Sequence, residues 1–486
     1  MWSLFESYGI STEALLAVAG VFAAYQVVKG LTGPLAHVPG PWHTKFTRLA
    51  HLIGVARASV WWDVVELHRI YGPIVRLGPN SLSVTDPKSL DIVLSTHDFR
   101  KGELYQSFRF AGEHNVASTR DPELHKTLKK MVAPVFSTVS MQNLEPLILE
   151  LGVQRAVNYL EKNGANGAPV DLLKTMMHMT LDVIGAIAFG GPFNLLDVES
   201  VPVTEWLHGI TMLGICRLVF DATLAPLIFR KFHREEREFV QAIDMIEKRR
   251  KMLNPPKDIL QALIEAVDED TGTSLSTEAI ASHIIVLLVA GSDTTALTVT
   301  WTIVLLLQNP HCMKRLVEEI DEAIPSLDEP ITHAKIQSLM YLNAVLTETL
   351  RLRSPAALEL PRVVPPKGVT LNNLFIPGGA EVNVMITTIM QDERNFERPT
   401  EYDPERWLGP SEQVNELKRA WVPFSAGPRV CLGRAMAWVE MRVTLVTLLR
   451  KFEFALVPGQ DLTPKSRLGL EPASGKAMVT LSKRTA

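Results

Sequence analysis

The stretch FSAGPRVCLG, Phe424–Gly433, places one of only three cysteines, Cys431, in a glycine-rich turn just before an apolar helix. Gly427 allows a tight turn, and Gly433 allows another group to approach the backbone closely. The free N–H groups at the start of the following helix point toward the sulfur and favour a thiolate. Such a thiolate could be a nucleophile, a redox sensor or a metal ligand. A buried structural cysteine is the commoner role, but it does not explain the glycines and Arg429.

The composition indicates a globular protein and excludes several classes of function. Of the 486 residues, 47% are hydrophobic and 21% are charged, which suits a folded chain with a large core. The net charge of −4 gives no sign of nucleic-acid binding. The cysteines are few, odd in number and far apart, so neither a disulfide framework nor a zinc site is expected. A cysteine protease would need a partner His, which no motif indicates.

An apolar run near the N-terminus predicts a membrane anchor. The segment ALLAVAGVFAAYQVV, residues 14–28, has only two interruptions, and a spanning helix needs about 20 apolar residues. Basic residues follow the run rather than precede it, which disfavours a cleaved signal peptide and puts the main body on the cytosolic side. A buried or interfacial helix is the alternative. We predict an anchor over residues 1–32, a proline-rich hinge over residues 33–44 and one folded domain over residues 45–486.

The rest of the chain predicts a mainly α fold with small β-sheets. Residues 276–308 form one long apolar segment with a start signal at Ser276 and a stop at Asn309-Pro310. A membrane span is the alternative, but Ser282, His283 and Asp293 would be costly in lipid, so the segment is predicted to be a buried axis. We further predict a hairpin over 74–86, strands near 369–371 and 381–384, a loop over 402–407, and helices within 140–250, over 340–353 and from 431 to about 450.

The segment Phe424–Gly433 matches Phe-x-x-Gly-x-Arg-x-Cys-x-Gly at every fixed position, and in this the chain resembles the cytochrome P450 family. The resemblance implies a single large haem-binding domain with haem b as cofactor. By the resemblance, Cys431 is the axial thiolate on the iron, a ligation that favours O–O cleavage. Phe424 would pack against the ring near the sulfur, Gly433 would let the loop approach it, and Arg429 would pair with a propionate.

Two further motifs match the family in the correct order. ETLR, residues 348–351, places Glu348 and Arg351 on one helix face, and PERW, residues 404–407, supplies Arg406. The family joins these three side chains in a buried network that braces the core behind the cysteine loop. Without the resemblance, Glu348 and Arg351 would be a surface ion pair of little energetic value. We assign this network a structural role.

The motif AGSDTT, residues 290–295, lies in the middle of the long apolar segment. Gly291 costs a helix roughly 1 kcal/mol against Ala, and an acid beside an alcohol can pass protons in a dry site. The alternative is a helix kink with hydroxyls bonded to i−4 carbonyls. In the family this segment crosses above the haem, so the resemblance implies that Gly291 leaves room there and that Asp293 and Thr294 deliver protons to dioxygen.

Other positions fit the family less closely. Residues 121–137 resemble the helix that reaches the second propionate, with His125 and Lys129 where an aromatic residue or His and an Arg are usual. Lys129 keeps the charge but loses the bidentate fork of Arg. The motif LPR, residues 360–362, resembles the start of a strand in the family. The resemblance implies that Arg362 also contacts a propionate. Glu359, just before this motif, contacts a polar substrate group, or else points to solvent or caps a backbone N–H, and the sequence leaves these readings open.

The resemblance implies a monooxygenase that inserts one oxygen atom of O₂ into a hydrophobic small molecule. VPGPW, YGPIVRLGPNSLSV and PERW are most similar to fungal microsomal members that make secondary metabolites. With no flavin or iron–sulfur segment in the sequence, electrons are expected from NADPH through a separate reductase at the endoplasmic reticulum membrane. Arg434, Lys126, Lys129 and Lys130 are candidates for its docking face, or else a solvated surface. The apolar stretch 211–229 lines the substrate cavity or is plain core.

Three other functions remain open from the sequence. A family member of this kind can catalyse desaturation, ring rearrangement or C–C coupling instead of hydroxylation. A haem sensor or carrier without turnover would need no proton relay, so an effect of Thr294→Ala on turnover would count against it. A protein with several membrane spans would remain embedded after removal of residues 1–32.

Overall fold

The computed structural model describes residues 12–136, 144–198 and 245–484, apart from 257, 269, 327–328, 358 and 468, with isolated positions between 199 and 244. The predicted stretch 211–229, the start of the predicted anchor and parts of the predicted helices within 140–250 lie outside this description. Helices dominate the described chain, and its strands form four small sheets. The predicted class, mainly α with small β-sheets, is confirmed.

The helices and strands are numbered here in chain order. The α-helices are α1 Thr12–Thr32, α2 Leu49–Ala56, α3 Val60–Tyr71, α4 Pro87–Leu94, α5 Pro122–Val132, α6 Gln154–Asn163, α7 Leu172–Phe189, α8 Met245–Arg250, α9 Ile259–Glu265, α10 Thr277–Gln308, α11 Pro310–Ala323, α12 His333–Ile336, α13 Met340–Leu352, α14 Ile386–Met390, α15 Ser411–Ala420 and α16 Arg434–Lys451. The strands are β1 Ile74–Gly78, β2 Ser81–Val84, β3 Arg100–Lys101, β4 Val170–Asp171, β5 Glu359–Val363, β6 Val369–Leu371, β7 Leu374–Ile376, β8 Glu381–Met385, β9 Phe452–Leu456, β10 Pro464–Ser466, β11 Leu470–Pro472 and β12 Met478–Lys483.

The largest described sheet has the strand order β1-β2-β8-β5-β3. The predicted hairpin is confirmed as β1 and β2, which pair antiparallel with Ile74 opposite Val84. Strand β5 pairs antiparallel with β3 at the edge, which places Arg362 directly opposite Lys101. Two like charges at directly opposed positions destabilise a sheet, so a negatively charged group beside this edge would stabilise it.

Helix α10 is the buried axis of the protein. Its N-cap Ser276 accepts a hydrogen bond from the N–H of Ala279, and it ends before Asn309-Pro310 because proline cannot continue it. A Cβ added at Gly291 would lie 3.2 Å from Ile184 of α7, so the glycine lets the two helices approach closely. Among the described residues, α7 and α10 are long and apolar enough to cross a membrane, yet both are mostly buried inside the protein. The prediction of a buried axis is confirmed.

The structure departs from the sequence predictions mainly where strands are short. Strands β9 to β12 near the C-terminus were not predicted, whereas β5 forms where the motif LPR resembles a strand of the family. Strand β12 pairs with β9 and with β4, which lies some 300 residues earlier in the chain. Strand formation there depends on such distant partners more than on a local pattern. A short 3₁₀ helix, Pro404–Trp407, replaces the predicted loop at the same place.

Candidate active site

A cavity of about 360 Å³ lies between α10, the start of α16 and the loop that carries Cys431. Most of its walls are apolar. Cys431 and Gly433 line it from the loop, and Gly291 and Thr294 line it from α10. A second class of lining residue is cationic or imidazole-bearing, and its members are Lys101, His125, Lys129, Arg362 and Arg429.

The loop 424–433 fixes the position of the sulfur through its backbone. Gly427 has φ +65°, and a Cβ there would lie 2.0 Å from the carbonyl oxygen of Leu94, so only glycine fits. The N–H of Cys431 donates to the carbonyl of Phe424 at 2.9 Å. A Cβ added at Gly433 would meet no protein atom, which leaves space for a flat group against the backbone.

The thiol of Cys431 is subject to two opposing influences. Cys431 is exposed to the cavity, yet desolvation by the surrounding protein raises its pKa, whereas the backbone N–H groups of Gly433 and Arg434 and the charge of Arg434 lower it. Desolvation dominates, so the helix N-terminus alone does not produce the thiolate expected from the sequence. A metal ion bonded to the sulfur would produce it, because coordination deprotonates a thiol. The residues present therefore fit an iron that would be held by the sulfur of Cys431.

Three cations meet at one wall of the cavity, and of these Lys101 and Arg362 are buried while Arg429 is partly buried. The Nζ of Lys101 donates to the carbonyl of Ala117 at 2.5 Å, and Nη1 of Arg362 donates to the hydroxyl of Tyr105 at 3.0 Å. Burial, followed by the charges of Arg362 and Arg429, lowers the pKa of Lys101. None of the ion pairs among the described residues includes these three cations. Such uncompensated charge is costly, and the two propionates of haem b have the charge that this cluster would bind.

His125 and Lys129 lie beside this cluster but differ in what they contact. The Nδ1 of His125 lies 3.3 Å from Nε2 of His97. Burial and then the charge of Arg429 lower the pKa of His125 to about 3, so its ring is neutral. The Nζ of Lys129 donates to the carbonyl of Pro428 at 2.8 Å, in the cysteine loop. Lys129 therefore braces that loop while it lines the cavity.

The structure adds two site residues that the sequence reasoning missed. Lys101 belongs to a two-residue strand, and only its pairing with β5 brings it to the cavity, so no local pattern indicated it. Glu440 is fully buried on α16, lines the cavity and has one carboxylate oxygen without a hydrogen-bond partner. Burial raises the pKa of Glu440 to about 8, although Thr295 opposes this. A lone acid in an apolar helix nine residues after Cys431 was the available signal.

The acid and the alcohol of AGSDTT lie on different sides of α10. Thr294 lines the cavity, and its hydroxyl donates to the i−4 carbonyl of Ala290 at 2.8 Å. Asp293 is not one of the lining residues, and it accepts a hydrogen bond from Ser292 at 3.1 Å. Burial raises the pKa of Asp293 to about 6, with a further contribution from Glu471. The carboxyl can therefore exchange a proton near neutral pH, and transfer to Thr294 would require a bridging water.

Glu348, Arg351 and Arg406 lie together in the core behind the loop. Arg351 donates to both oxygens of Glu348 at 2.8 and 2.9 Å, and Arg406 donates to one of them at 3.1 Å. The indole of Trp407 donates to the other oxygen at 2.9 Å. Burial raises the pKa of Glu348, but Arg351 and then Arg406 outweigh it and hold the pKa below its ordinary value. The carboxylate is thus ionised and joins α13 to the 3₁₀ helix at 404–407.

Glu359 takes none of the three positions considered from the sequence, which were a substrate contact, a solvent-exposed side chain and a cap on a backbone N–H. It is buried, it is not one of the residues that line the cavity, and it forms ion pairs with His51 and, at 3.6 Å, with Arg48. Burial raises the pKa of Glu359, whereas His51 and Arg48 lower it by more. The predictions of a substrate contact and of a solvent-exposed side chain are therefore wrong for Glu359. Glu359 fastens β5 to α2 and the residue before it.

Comparisons with known proteins relate nearly the whole chain to one family. The sequence profile described as Cytochrome P450 matches residues 39–479. The chain is 31% identical over 471 residues to cytochrome P450 monooxygenase acrD of Aspergillus aculeatus, covering 95% of this chain and 93% of that protein. It is also 31% identical over 473 residues to cytochrome P450 monooxygenase LUC2 of a Fusarium species, covering 95% and 91%. The crystal structure of the cytochrome P450DA heme domain shares the fold, with a TM-score of 0.80 at 23% identity over 92% of this chain and 98% of that one. The chain belongs to the cytochrome P450 family and is a cytochrome P450 monooxygenase.

Proposed function

We propose that this enzyme is a haem-thiolate monooxygenase that inserts one oxygen atom of O₂ into a hydrophobic small molecule in a fungal secondary-metabolite pathway. The observation that carries the proposal is that Cys431, Thr294 and the cation cluster all line one largely apolar cavity. Haem b bound there through a cysteine thiolate supplies oxygen activation and favours O–O cleavage. The protein contributes binding, orientation and proton supply.

The residues divide that work according to their positions. Cys431 would hold the iron, while Lys101, Arg362 and Arg429 would bind the propionates through charge-assisted hydrogen bonds. Apolar side chains that include Val286, Leu287 and Ile386 line the cavity, so they exclude water and favour an apolar substrate.

Proton supply is assigned to α10. Asp293, whose burial raises its pKa to about 6, would exchange protons with solvent, and Thr294 would present a hydroxyl inside the cavity. Glu440, whose carboxyl stays neutral near pH 7 because burial raises its pKa to about 8, adds no negative charge to the apolar wall.

The direct test of this proposal is the difference spectrum of the dithionite-reduced protein with carbon monoxide. We expect the Soret band for which the family is named, because it reports thiolate ligation. A band at the shorter wavelength of histidine-ligated haem would indicate a misligated form, and a well-folded protein that takes up no haem would refute the proposal.

Replacing Thr294 with alanine is expected to uncouple electron supply from product formation. The variant loses the hydroxyl that faces the cavity and keeps the helix, because that hydroxyl bonds only the i−4 carbonyl of Ala290. We expect roughly a 10²-fold loss of substrate oxidation, with NADPH consumption diverted to hydrogen peroxide. The measurement is product and peroxide per NADPH with a reductase. Thr302→Ala, which removes a similar i−4 hydroxyl from α10 at a position that does not line the cavity, is the matched control. Unchanged coupling in Thr294→Ala would favour a role without this proton relay.

We propose that electrons arrive from NADPH through a separate reductase that docks behind the cysteine loop. A groove of about 800 Å³ opens there, and Lys418, Arg434 and Arg442 line it together with Phe424 and Trp438. Arg434 lies over the Phe424 ring at 5.7 Å, so this groove places positive charge close to the loop that holds the iron. Of the other docking candidates, Lys126 pairs with Glu123, Lys130 with Asp270, and Lys129 donates to the carbonyl of Pro428.

We further propose that residues 1–32 anchor the enzyme in the endoplasmic reticulum membrane with the catalytic domain in the cytosol. In helix α1, the apolar side chains of Val21, Val28 and Leu31 are more than half exposed, as is Tyr25. Exposed apolar groups of this kind mark a surface that contacts a membrane or another protein. Lys29 in the last turn of the helix agrees with a cytosolic domain after it.

Deletion of residues 1–32 is expected to move the protein from the membrane pellet to the soluble fraction and to leave the carbon-monoxide spectrum unchanged. The reason is that the other two long apolar helices, α7 and α10, are mostly buried in the folded protein. Sedimentation of microsomes after expression in yeast would measure this. A truncated protein that still resists carbonate extraction would favour several membrane spans instead.

Desaturation, ring rearrangement or C–C coupling on the same kind of substrate is the second candidate. Product analysis with labelled O₂ separates these outcomes from hydroxylation, because only hydroxylation retains one oxygen atom in the product.

A further inference from the structure

The loop at 108–119 is folded tightly around one buried amide side chain. Asn115 is fully buried, and its Nδ2 donates to the carbonyl of Phe108 at 2.8 Å and to the hydroxyl of Ser282 at 3.0 Å. Its Oδ1 accepts the N–H groups of Ala117 at 3.0 Å and Ser118 at 2.9 Å. Both polar atoms of Asn115 are therefore satisfied, and they set the course of the loop.

Two neighbouring residues of α10 hold this loop from the other side. The hydroxyl of Ser282 donates to the carbonyl of Glu113 at 3.0 Å. Nε2 of His283 lies 3.3 Å from the N–H of Val116, and its Nδ1 lies 2.8 Å from the carbonyl of Ala279. Because the N–H of Val116 can only donate, Nε2 must accept and the ring proton must lie on Nδ1. These contacts require a neutral His283, and burial lowers its pKa accordingly, although the bond to Ala279 opposes this.

Core packing alone does not explain these two polar residues in an otherwise apolar helix. Ser282 and His283 are both fully buried, and buried polar groups are costly unless they are fully hydrogen-bonded. An apolar pair would fill the same space without that requirement. What the polar pair adds is a directional attachment of the loop to α10.

The attached loop forms part of the cavity wall. Val116 and Ala117 line the cavity, whereas Asn115, Ser282 and His283 do not. We propose that Asn115, Ser282 and His283 are positioning residues that latch the loop to α10 and thereby set where Val116 and Ala117 meet an apolar substrate. The effect of this latch on the position of a substrate rests on the proposed function. The attachment of the loop to α10 can itself be tested without measuring turnover.

The first test is hydrogen–deuterium exchange of the full-length holoprotein, read on peptides that cover residues 113–118. In Ser282→Ala and His283→Leu we expect these amides to exchange roughly tenfold to hundredfold faster, because each change leaves a buried loop group unpaired. In His283→Gln the side-chain carbonyl can still accept the N–H of Val116, so protection should be largely restored. Thr302→Val is the matched control, because the Thr302 hydroxyl is equally buried on α10 but bonds only the carbonyl of Thr298.

The second test asks whether the latch sets the cavity wall. Imidazole and 4-phenylimidazole share one nitrogen ligand and differ in size, so the ratio of their dissociation constants from spectral titration reports the space above the haem. We expect the ratio to change in Ser282→Ala and to stay at the wild-type value in Thr302→Val.

Equal exchange in Ser282→Ala, His283→Leu and Thr302→Val would overturn the latch. Faster exchange with an unchanged ratio would overturn its role in shaping the site. If His283→Leu does not fold, the exchange result for Ser282→Ala alone tests the latch, because that variant removes only a single hydroxyl. Absence of substrate oxidation by the wild-type enzyme would contradict the proposed function. The exchange experiment would still test the latch, because it does not depend on turnover.

Discussion

Replacing Cys431 with serine is expected to abolish the thiolate-type Soret band and substrate oxidation completely, while the protein still folds. The loop backbone fixes the position of the sulfur. The N–H of Cys431 donates a hydrogen bond to the carbonyl of Phe424, and Gly427 packs closely against the backbone of Leu94. Serine keeps this backbone and removes only the soft ligand that suits iron in this family. The loss is therefore chemical rather than structural.

The cation cluster predicts what remains in that variant. Lys101, Arg362 and the partly buried Arg429 stay at the cavity wall, so the haem carboxylates would still be bound and some haem should be retained in a different ligation state. The measurement is the carbon-monoxide difference spectrum together with haem content. Cys312→Ser is the control, because Cys312 is a free cysteine on α11 that does not line the cavity. A normal Soret band in Cys431→Ser would rule out Cys431 as the ligand.

The residues that could be predicted from the sequence are those whose spacing is local. The ten residues around Cys431, the pair Glu348 and Arg351 within one helix turn, and the capped helix that starts after Ser276 all carry their signal within a short window. The structure brings these segments to one cavity or to the core behind it. Local spacing was therefore enough for the fold class and for the centre of the site.

The residues that could not be predicted depend on contacts between distant segments. Lys101 reaches the cavity only because β3 pairs with β5. Glu359 finds its partners about 300 positions earlier, in and next to α2, so its neighbourhood in the sequence gave no indication of them. For Asp293 the motif was visible, but helix periodicity alone did not show that its side chain lies off the cavity wall while that of Thr294 faces it. Desolvation also raises the pKa of the free Cys431 thiol, opposite to the lowering expected from the sequence.

Replacing Glu348 with glutamine is expected to destabilise the protein by about 3–5 kcal/mol, because removal of one partner leaves a buried charge uncompensated. Arg351 is completely buried, and its remaining hydrogen-bond partners are the neutral carbonyls of Met390, Pro399 and Glu401. A loss of this size is a large part of the stability of an ordinary domain. We expect a strongly lowered yield of folded holoprotein and a lowered thermal midpoint.

Two further variants separate this explanation from a general effect of removing charge. Arg406→Gln leaves the bidentate pair of Glu348 and Arg351 intact, so its loss should be smaller. Glu66→Gln breaks an exposed ion pair with Arg69 and should cost at most about 1 kcal/mol. A Glu348→Gln protein with the thermal midpoint of Glu66→Gln would contradict a bracing role.

The pH dependence of stability gives the same network a second test. The pKa of Glu348 is held below its ordinary value because Arg351 and Arg406 outweigh burial. Its stabilising contribution is therefore present above the ordinary pKa of a glutamate and is lost as the pH falls through the lowered value. Thermal midpoints of wild type and Glu348→Gln should accordingly converge in acid and separate toward neutral pH. A constant difference across that range would mean that the ionised carboxylate is not what joins α13 to the segment before the cysteine loop.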